Sequence, residues 1–354
     1  MPALLTLRAG PDALKRIRSR GLTAADIDIL PGASGGAKWL VLGGLDRYLF
    51  GEFLQVPRAR PLHLIGSSIG SWRMACLAQR DPVAALARGH HAYIYEQRYS
   101  RKPSPEEVTR VLTRALDLLL GDQGVQEILT HPWARLHIIT AAARGLLASD
   151  HRLPLTTGLL FTILGNLVGR HRLARRLERV IFDAAGDGSP FRALADLPTS
   201  HQRLTPDNVR AALLASGSIP LLMQGVRIPN DPDRLYWDGG ILDYHPDLDF
   251  GSGDGLVLYP HFYEHVIPGW FDKSLPWRRA SGDNFRRALL IAPSAAFVNA
   301  LPGGKIPDRQ DFYDFPDAER MARWQQVLDA SVQLGDELRE LVLTGKLADR
   351  VIPW

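Results

Sequence analysis

Ser68 lies between Gly66 and Gly70, the spacing a nucleophilic serine needs. A sharp strand-to-helix turn pushes the serine hydroxyl out of a sheet, and only glycines tolerate the crowded backbone on either side. Residues 62–65 (Leu-His-Leu-Ile) read as a short strand directly before the motif. A run with Trp72, Met74, Ala75 and Leu77 reads as a helix directly after it, stopping before Asp81 and Pro82. Upstream, Pro31-Gly32-Ala33-Ser34-Gly35-Gly36-Ala37-Lys38 forms a second strand-to-helix junction. Small residues there let successive N–H groups point at one spot, and the following helix adds its dipole. Such a nest holds a phosphate or a developing oxyanion. A phosphate-binding Walker loop needs Gly-Lys followed by Ser or Thr, and Ala37-Lys38-Trp39 fails at two of those positions.

Far downstream, Asp238-Gly239-Gly240 follows Leu235, Tyr236 and Trp237. An Asp at a strand end in a glycine turn can accept a proton, although Asp-Gly is also a common hairpin turn. The small-residue segment 215–220 precedes it and reads as a loop that leaves room beside a site. His245, His261 and His265 come later and could complete a Ser–His–Asp triad on soluble esters. Only 67 residues precede Ser68, fewer than the several βα units that usually lead to an α/β-hydrolase nucleophile. His261-x-x-x-His265 has ligand-like spacing but lacks the glutamate of a zinc helix, so no metal is expected.

In their order, the glycine loop, the serine elbow and the late Asp-Gly-Gly resemble the patatin-like phospholipase family. The small-residue segment ending in Pro220 fits the same pattern, and the resemblance covers roughly residues 25–250. It implies Ser68 as nucleophile and Asp238 as its partner in a Ser–Asp dyad. It also implies Gly35, Gly36 and Ala37 as oxyanion-hole donors, with Lys38 where the family carries Arg or Lys. Gly66, Gly70, Gly239 and Gly240 are the supporting glycines. Three positions depart from the family pattern. Ser34 replaces the first of three glycines, Trp39 replaces the glycine after the basic residue, and Tyr244-His245-Pro246 lacks the usual Asn. The implied activity is lipid acyl hydrolysis of the phospholipase A or lysophospholipase kind, without a cofactor. The triad esterase and a catalytically silent lipid- or protein-binding module stay open as alternatives.

The elements that must position these residues follow from the rest of the chain. Strands are expected at 27–30, 62–65, 136–140, 180–182, 221–226, 255–259 and 289–291, with a helix-rich lead-in over 1–60. Helical spacing covers 104–130, and 317–343 reads as one amphipathic helix. The stretch 228–310, rich in Pro, Gly and Asp, reads as loops between strands. Repeated strand–glycine-turn–helix units predict a mainly parallel sheet in a patatin-like three-layer α/β/α sandwich. The whole chain, 1–354, is expected to form one domain, with an excursion at 144–179 and added strands and a C-terminal helix over 250–354.

Composition narrows the setting. Hydrophobic content of 45% against 23% charge excludes a disordered chain or a collagen-like fibre. Forty-two basic against 38 acidic residues do not make a nucleic-acid binder. Cys76 is the one cysteine, so no internal disulfide can form. The first eight residues lack the basic and long apolar regions of a signal peptide, and a cytoplasmic protein is expected. Charge concentrates at 150–179, which holds six Arg against one Asp and one Glu. Within it, 153–169 runs seventeen residues without a formal charge, short of the ~20 apolar residues of a spanning helix. It reads as a buried helix with a basic end or as an interfacial lid whose arginines suit anionic headgroups. Peripheral contact with an anionic membrane surface is therefore expected, and the oligomeric state is left open.

Overall fold

The computed structural model describes residues 3–251, 253–280 and 282–354. Met1 and Pro2, the first residues of the segment read for a leader, lie outside these. The strands are β1 (Leu5–Ala9), β2 (Ile27–Gly32), β3 (Leu62–Ser67), β4 (Ala134–Ala143), β5 (Leu177–Asp183), β6 (Thr199–Arg203), β7 (Val226–Ile228), β8 (Asp231–Asp238), β9 (Leu256–Pro260), β10 (Ala288–Pro293) and β11 (Ile352–Pro353). They form one sheet in the order β11-β1-β10-β9-β2-β3-β4-β5-β6, with β8 pairing β4 and β7 pairing β8. The centre, β10-β9-β2-β3-β4, is parallel throughout. These strands are nearly continuous apolar runs because helices cover both faces, as a parallel sheet requires. The architecture is a three-layer α/β/α fold.

The first helices are α1 (Pro11–Arg20), α2 (Gly43–Tyr48), α3 (Ile69–Leu77), α4 (Pro82–His91), α5 (Pro105–Leu120) and α6 (Gly124–Thr130). They are followed by α7 (Arg152–Val168), α8 (Val209–Ser216), α9 (Ala295–Ala300), α10 (Asp311–Asp314), α11 (Asp317–Ala330) and α12 (Val332–Leu343). All nine residues of α3 are buried, Cys76 among them. The only charge on α3, Arg73, is neutralised by Asp46 of α2 through two hydrogen bonds at 2.6 and 2.5 Å. Removing either partner would strand a buried charge, at a cost of about 3–5 kcal/mol.

Four expectations need correction. The lead-in contains β1, whose alternating Leu5, Leu7 and Ala9 are buried and which pairs antiparallel with β10. Residues 221–226 are not a strand: Leu221 sits in a turn at φ 68°, and Leu221, Leu222 and Met223 line a cavity instead. Their apolar character serves that cavity, and pairing begins only at Val226, in the hairpin to β8. The helix expected over 104–130 breaks at Gly121, with φ 58°. The single tail helix is two, α11 and α12, bent at Ser331, whose Oγ accepts the Gly44 N–H at 2.8 Å.

Candidate active site

The central strand β4 builds the site by having two neighbours along one edge. Its first part pairs with β3 up to Ser67 opposite Ile139. Its last part pairs antiparallel with β8, Asp238 falling opposite Thr140. The C-terminal ends of β3 and β8 therefore meet head-on at adjacent residues of β4. Ser68 and Asp238, 170 positions apart in the chain, become neighbours, and Ser68 Oγ donates to Asp238 Oδ2 at 2.9 Å. Both residues are buried but keep a sliver of surface, 9% and 7%.

Ser68 sits at φ 53°, ψ −133°, a conformation that costs a non-glycine residue about 1–3 kcal/mol. Close packing enforces the turn. Gly70 lies against the Gly32 backbone so tightly that a Cβ at position 70 would collide with the Gly32 carbonyl. A second restraint comes from the 215–220 segment, whose first two residues end α8 and whose other four are irregular, as the loop reading expects. Ser216 Oγ accepts the Ser68 N–H at 2.9 Å and donates to the Ile139 carbonyl at 2.6 Å. The Ser218 carbonyl accepts the Asp238 N–H at 2.8 Å. One short segment thus clamps both backbones. Ser216 was missed in the sequence, where only its small size was a signal.

Asp238 is held on its other oxygen by the Gly240 N–H at 2.7 Å. Burial pushes its carboxyl up from 3.8 to about 6, against the opposing pull of Gly240, Ser68, Arg309 and Lys273. The result is a base stronger than a solvated carboxylate. The glycine loop is tied to the same region. Ser34 N–H donates to the Tyr244 carbonyl at 2.7 Å, and Ser34 Oγ lies 2.8 Å from Ser67 Oγ, which donates to the Asp243 carbonyl at 2.5 Å. Arg179 fixes Asp243 in turn through contacts of 2.7 and 2.8 Å. Gly36 adopts φ 57°, and among the described residues the N–H groups of Gly35, Gly36 and Ala37 have no recorded partner. They are free donors.

Ser68, Asp238, Gly35, Gly36, Ala37 and Lys38 line one cavity of about 1060 Å³. Its walls are largely apolar, with Val108 and Leu112 from α5, Leu159, Leu160 and Ile163 from α7, and Leu222, Met223 and Phe312 beyond. A second depression, about 770 Å³, is lined by Gln79, Arg88, Glu127 and neighbours and contains none of these site residues. The lid and buried-helix readings of the sequence both concern α7, which buries one side only. Only Leu155, Gly158, Thr162 and Asn166 are buried on it. Leu153, Leu160, Phe161, Leu164, Leu167 and Val168 are exposed, Leu153 by 82%.

The histidines lie elsewhere. His245 is fully buried, accepts the Ile267 N–H at 2.9 Å and packs between Tyr244 and His261. Burial drives its pKa well below 6.5 and that of His261 down to about 3. His265 faces solvent outside the cavity. None has a hydrogen bond to Ser68 or Asp238 among the described residues. No group of three potential metal ligands occurs among those residues either. Lys273 and Arg309 do line the cavity, and as lone cations in irregular segments they left no sequence signal.

Compared with known proteins, the chain matches the family model described as patatin-like phospholipase over residues 32–246, more than half of its length. No curated protein matches it in a sequence search.

Proposed function

The chain belongs to the patatin-like phospholipase family, and we propose that it hydrolyses carboxylic esters of lipids through Ser68 and Asp238. The observation that carries this reading is the 2.9 Å hydrogen bond from Ser68 Oγ to Asp238 Oδ2 at the base of an apolar cavity. As Oγ attacks the ester carbonyl, its proton passes to Asp238. The tetrahedral oxyanion takes hydrogen bonds from the loop of Gly35, Gly36 and Ala37. Collapse expels the alcohol, which leaves with the proton from Asp238, and an acyl-enzyme on Ser68 remains. Water then attacks the acyl carbonyl, Asp238 takes its proton and returns it to Ser68 Oγ as the carboxylic acid departs. A carboxylate is a weak base for a hydroxyl, so the oxyanion donors must carry much of the barrier reduction, each typically ~3 kcal/mol.

Lipid substrates reside in aggregates, and α7 supports a mode of access. No helix among the described residues is long and apolar enough to cross a membrane. The exposed leucines of α7 continue into the cavity wall, and Arg172, Arg175 and Arg176 follow directly. Arg176 lies over the Phe161 ring, 5.5 Å from its centroid. An apolar face edged by arginines suits the interface of an anionic bilayer. Here α7 both touches the lipid surface and roofs the cavity.

The test is labelling with a fluorophosphonate probe and identification of the modified peptide by mass spectrometry. Modification of Ser68, absent in Asp238→Asn, is expected. Modification of another serine would remove the dyad from the mechanism.

A further inference from the structure

Among the described residues four cations line the cavity without an ion pair: Arg101, and three that act on one another's charge, Lys38, Lys273 and Arg309. Lys38 follows the glycine loop, Lys273 follows the turn Trp270–Asp272, and Arg309 lies in the segment before α10. Every carboxylate close to them in the chain is otherwise engaged. Asp308 and Asp311 both pair with Lys305, at 3.4 and 2.7 Å. Asp311 also accepts the Trp324 indole N–H at 2.8 Å. Asp272 is taken by Arg170 and Asn166, each at 2.8 Å. Asp238, on the same cavity, is occupied by Ser68 and Gly240.

Lys273 is also held in place. The Lys273 ammonium lies 4.1 Å from the Tyr244 ring centroid and 5.4 Å from that of Trp270. Lys273 is exposed to water at the cavity mouth. The protein packed around that mouth, then repulsion from Lys38 and Arg309, nevertheless push its pKa down to about 7. Asp308, shared with Lys305, and Asp238 offset this charge only in part, and the like charge left on one wall is relieved by a bound anion. The opposite wall is apolar. A molecule that fits both walls has an acyl chain at one end and an oxyanion at the other.

We propose that Lys38, Lys273 and Arg309 bind the phosphate of the substrate headgroup, so that phosphate-bearing lipid esters are selected over neutral esters of the same acyl chain. The proposal rests on the hydrolase reading above. Two of its three residues, Lys273 and Arg309, lie beyond the stretch matched by the family model. Selectivity thus resides in loops that the shared machinery does not specify.

The experiment compares kcat/KM for a lysophosphatidic acid and for the monoacylglycerol with the same chain, both kept monomeric. Each is measured with wild type, Lys273→Gln, Arg309→Gln, the double variant and Lys273→Arg. The ratio of the two constants should fall about tenfold for each lost charge, and Lys273→Arg should restore it. Lys38 is left intact because it adjoins the oxyanion loop. A ratio that does not change in the double variant overturns the proposal. Binding of an ether-linked lysophosphatidic acid to Ser68→Ala, read by tryptophan fluorescence, separates this failure from that of the hydrolase reading. No turnover of either ester, with binding that still depends on both charges, would sink the hydrolase and keep the phosphate site. Equal binding by Ser68→Ala with and without the two charge removals would sink the site. Competition by inorganic phosphate assigns recognition to the free anion. Its absence, with charge-dependent lipid binding, assigns it to the headgroup.

Discussion

Two apolar helices flank the same cavity, and they are held in opposite ways. Every residue of α3 is buried in the main core, behind Ser68, and its one charge is locked to Asp46. Four of the seventeen residues of α7 are buried, against a small satellite core around Trp237 and Leu177. Apolarity is common to both, so it does not decide their roles; packing does. The floor must resist the strained backbone of Ser68, and complete burial gives it that stiffness. On the proposed function the roof must let a lipid pass, and its few buried residues favour a low cost of displacement. On the proposed function, the residues that place reacting atoms sit on the tight element, and those that would meet a lipid aggregate sit on the loose one.

The sharpest way to break this division is at the dyad. Ser68→Ala and Asp238→Asn are each expected to lower hydrolysis of an activated ester by on the order of 10⁴-fold. Folded His245→Ala, His261→Ala and His265→Ala proteins should retain activity, since none of these rings reaches Ser68. A folded single-histidine variant as inactive as Ser68→Ala would replace the dyad with a triad. Next in size is the contrast in stability. Met74→Ala in the floor should cost about 2–5 kcal/mol, whereas Leu164→Ala on the roof should stay within about 0.5 kcal/mol by denaturant titration. Similar losses at both would erase the distinction.

Changing Arg172, Arg175 and Arg176 together to Gln should weaken partitioning onto anionic vesicles by roughly two orders of magnitude, at ~1 kcal/mol per charge. Sedimentation with the vesicles measures it, and unchanged binding would take α7 off the membrane. The smallest effect is that of pH. In the proposed mechanism Asp238 works as a carboxylate, and burial raises its pKa to about 6, so kcat/KM should fall about tenfold for each unit below that value. An acid limb near 4 would mean the base is solvated and unlike this floor. The same shift carries a sign for stability. The folded state holds the Asp238 proton more tightly than the unfolded one, so ionisation destabilises progressively between pH 3.8 and about 6. Asp238→Asn should gain stability at pH 8, a gain that disappears below the unfolded pKa.

The elbow, the loop and the late aspartate were legible because each imposes a backbone demand that leaves glycines behind. Gly66, Gly70 and Gly240 mark places where chain segments nearly touch, and such marks survive in a linear string. The parallel centre of the sheet was legible for a related reason, since strands buried on both faces read as unbroken apolar runs. Ser216, Lys273 and Arg309 were not, because a single side chain arriving from a loop has no period and no neighbours to announce it. The apolar run at 221–223 misled because a cavity wall and a strand interior ask for the same residues. The roof stayed ambiguous at 153–169 because composition says that a surface is apolar without saying what it faces.

Cys76, the only cysteine in the chain, is fully buried on α3, and burial raises its thiol pKa far above that of a free thiol. It is therefore silent toward alkylating reagents unless the floor itself opens, and its modification rate becomes a chemical clock for that event. Lifting of α7 by a vesicle would leave the clock untouched, whereas any loosening that reached the helix behind Ser68 would start it. A native atom, with no probe introduced, can thus time the floor while the roof is in motion.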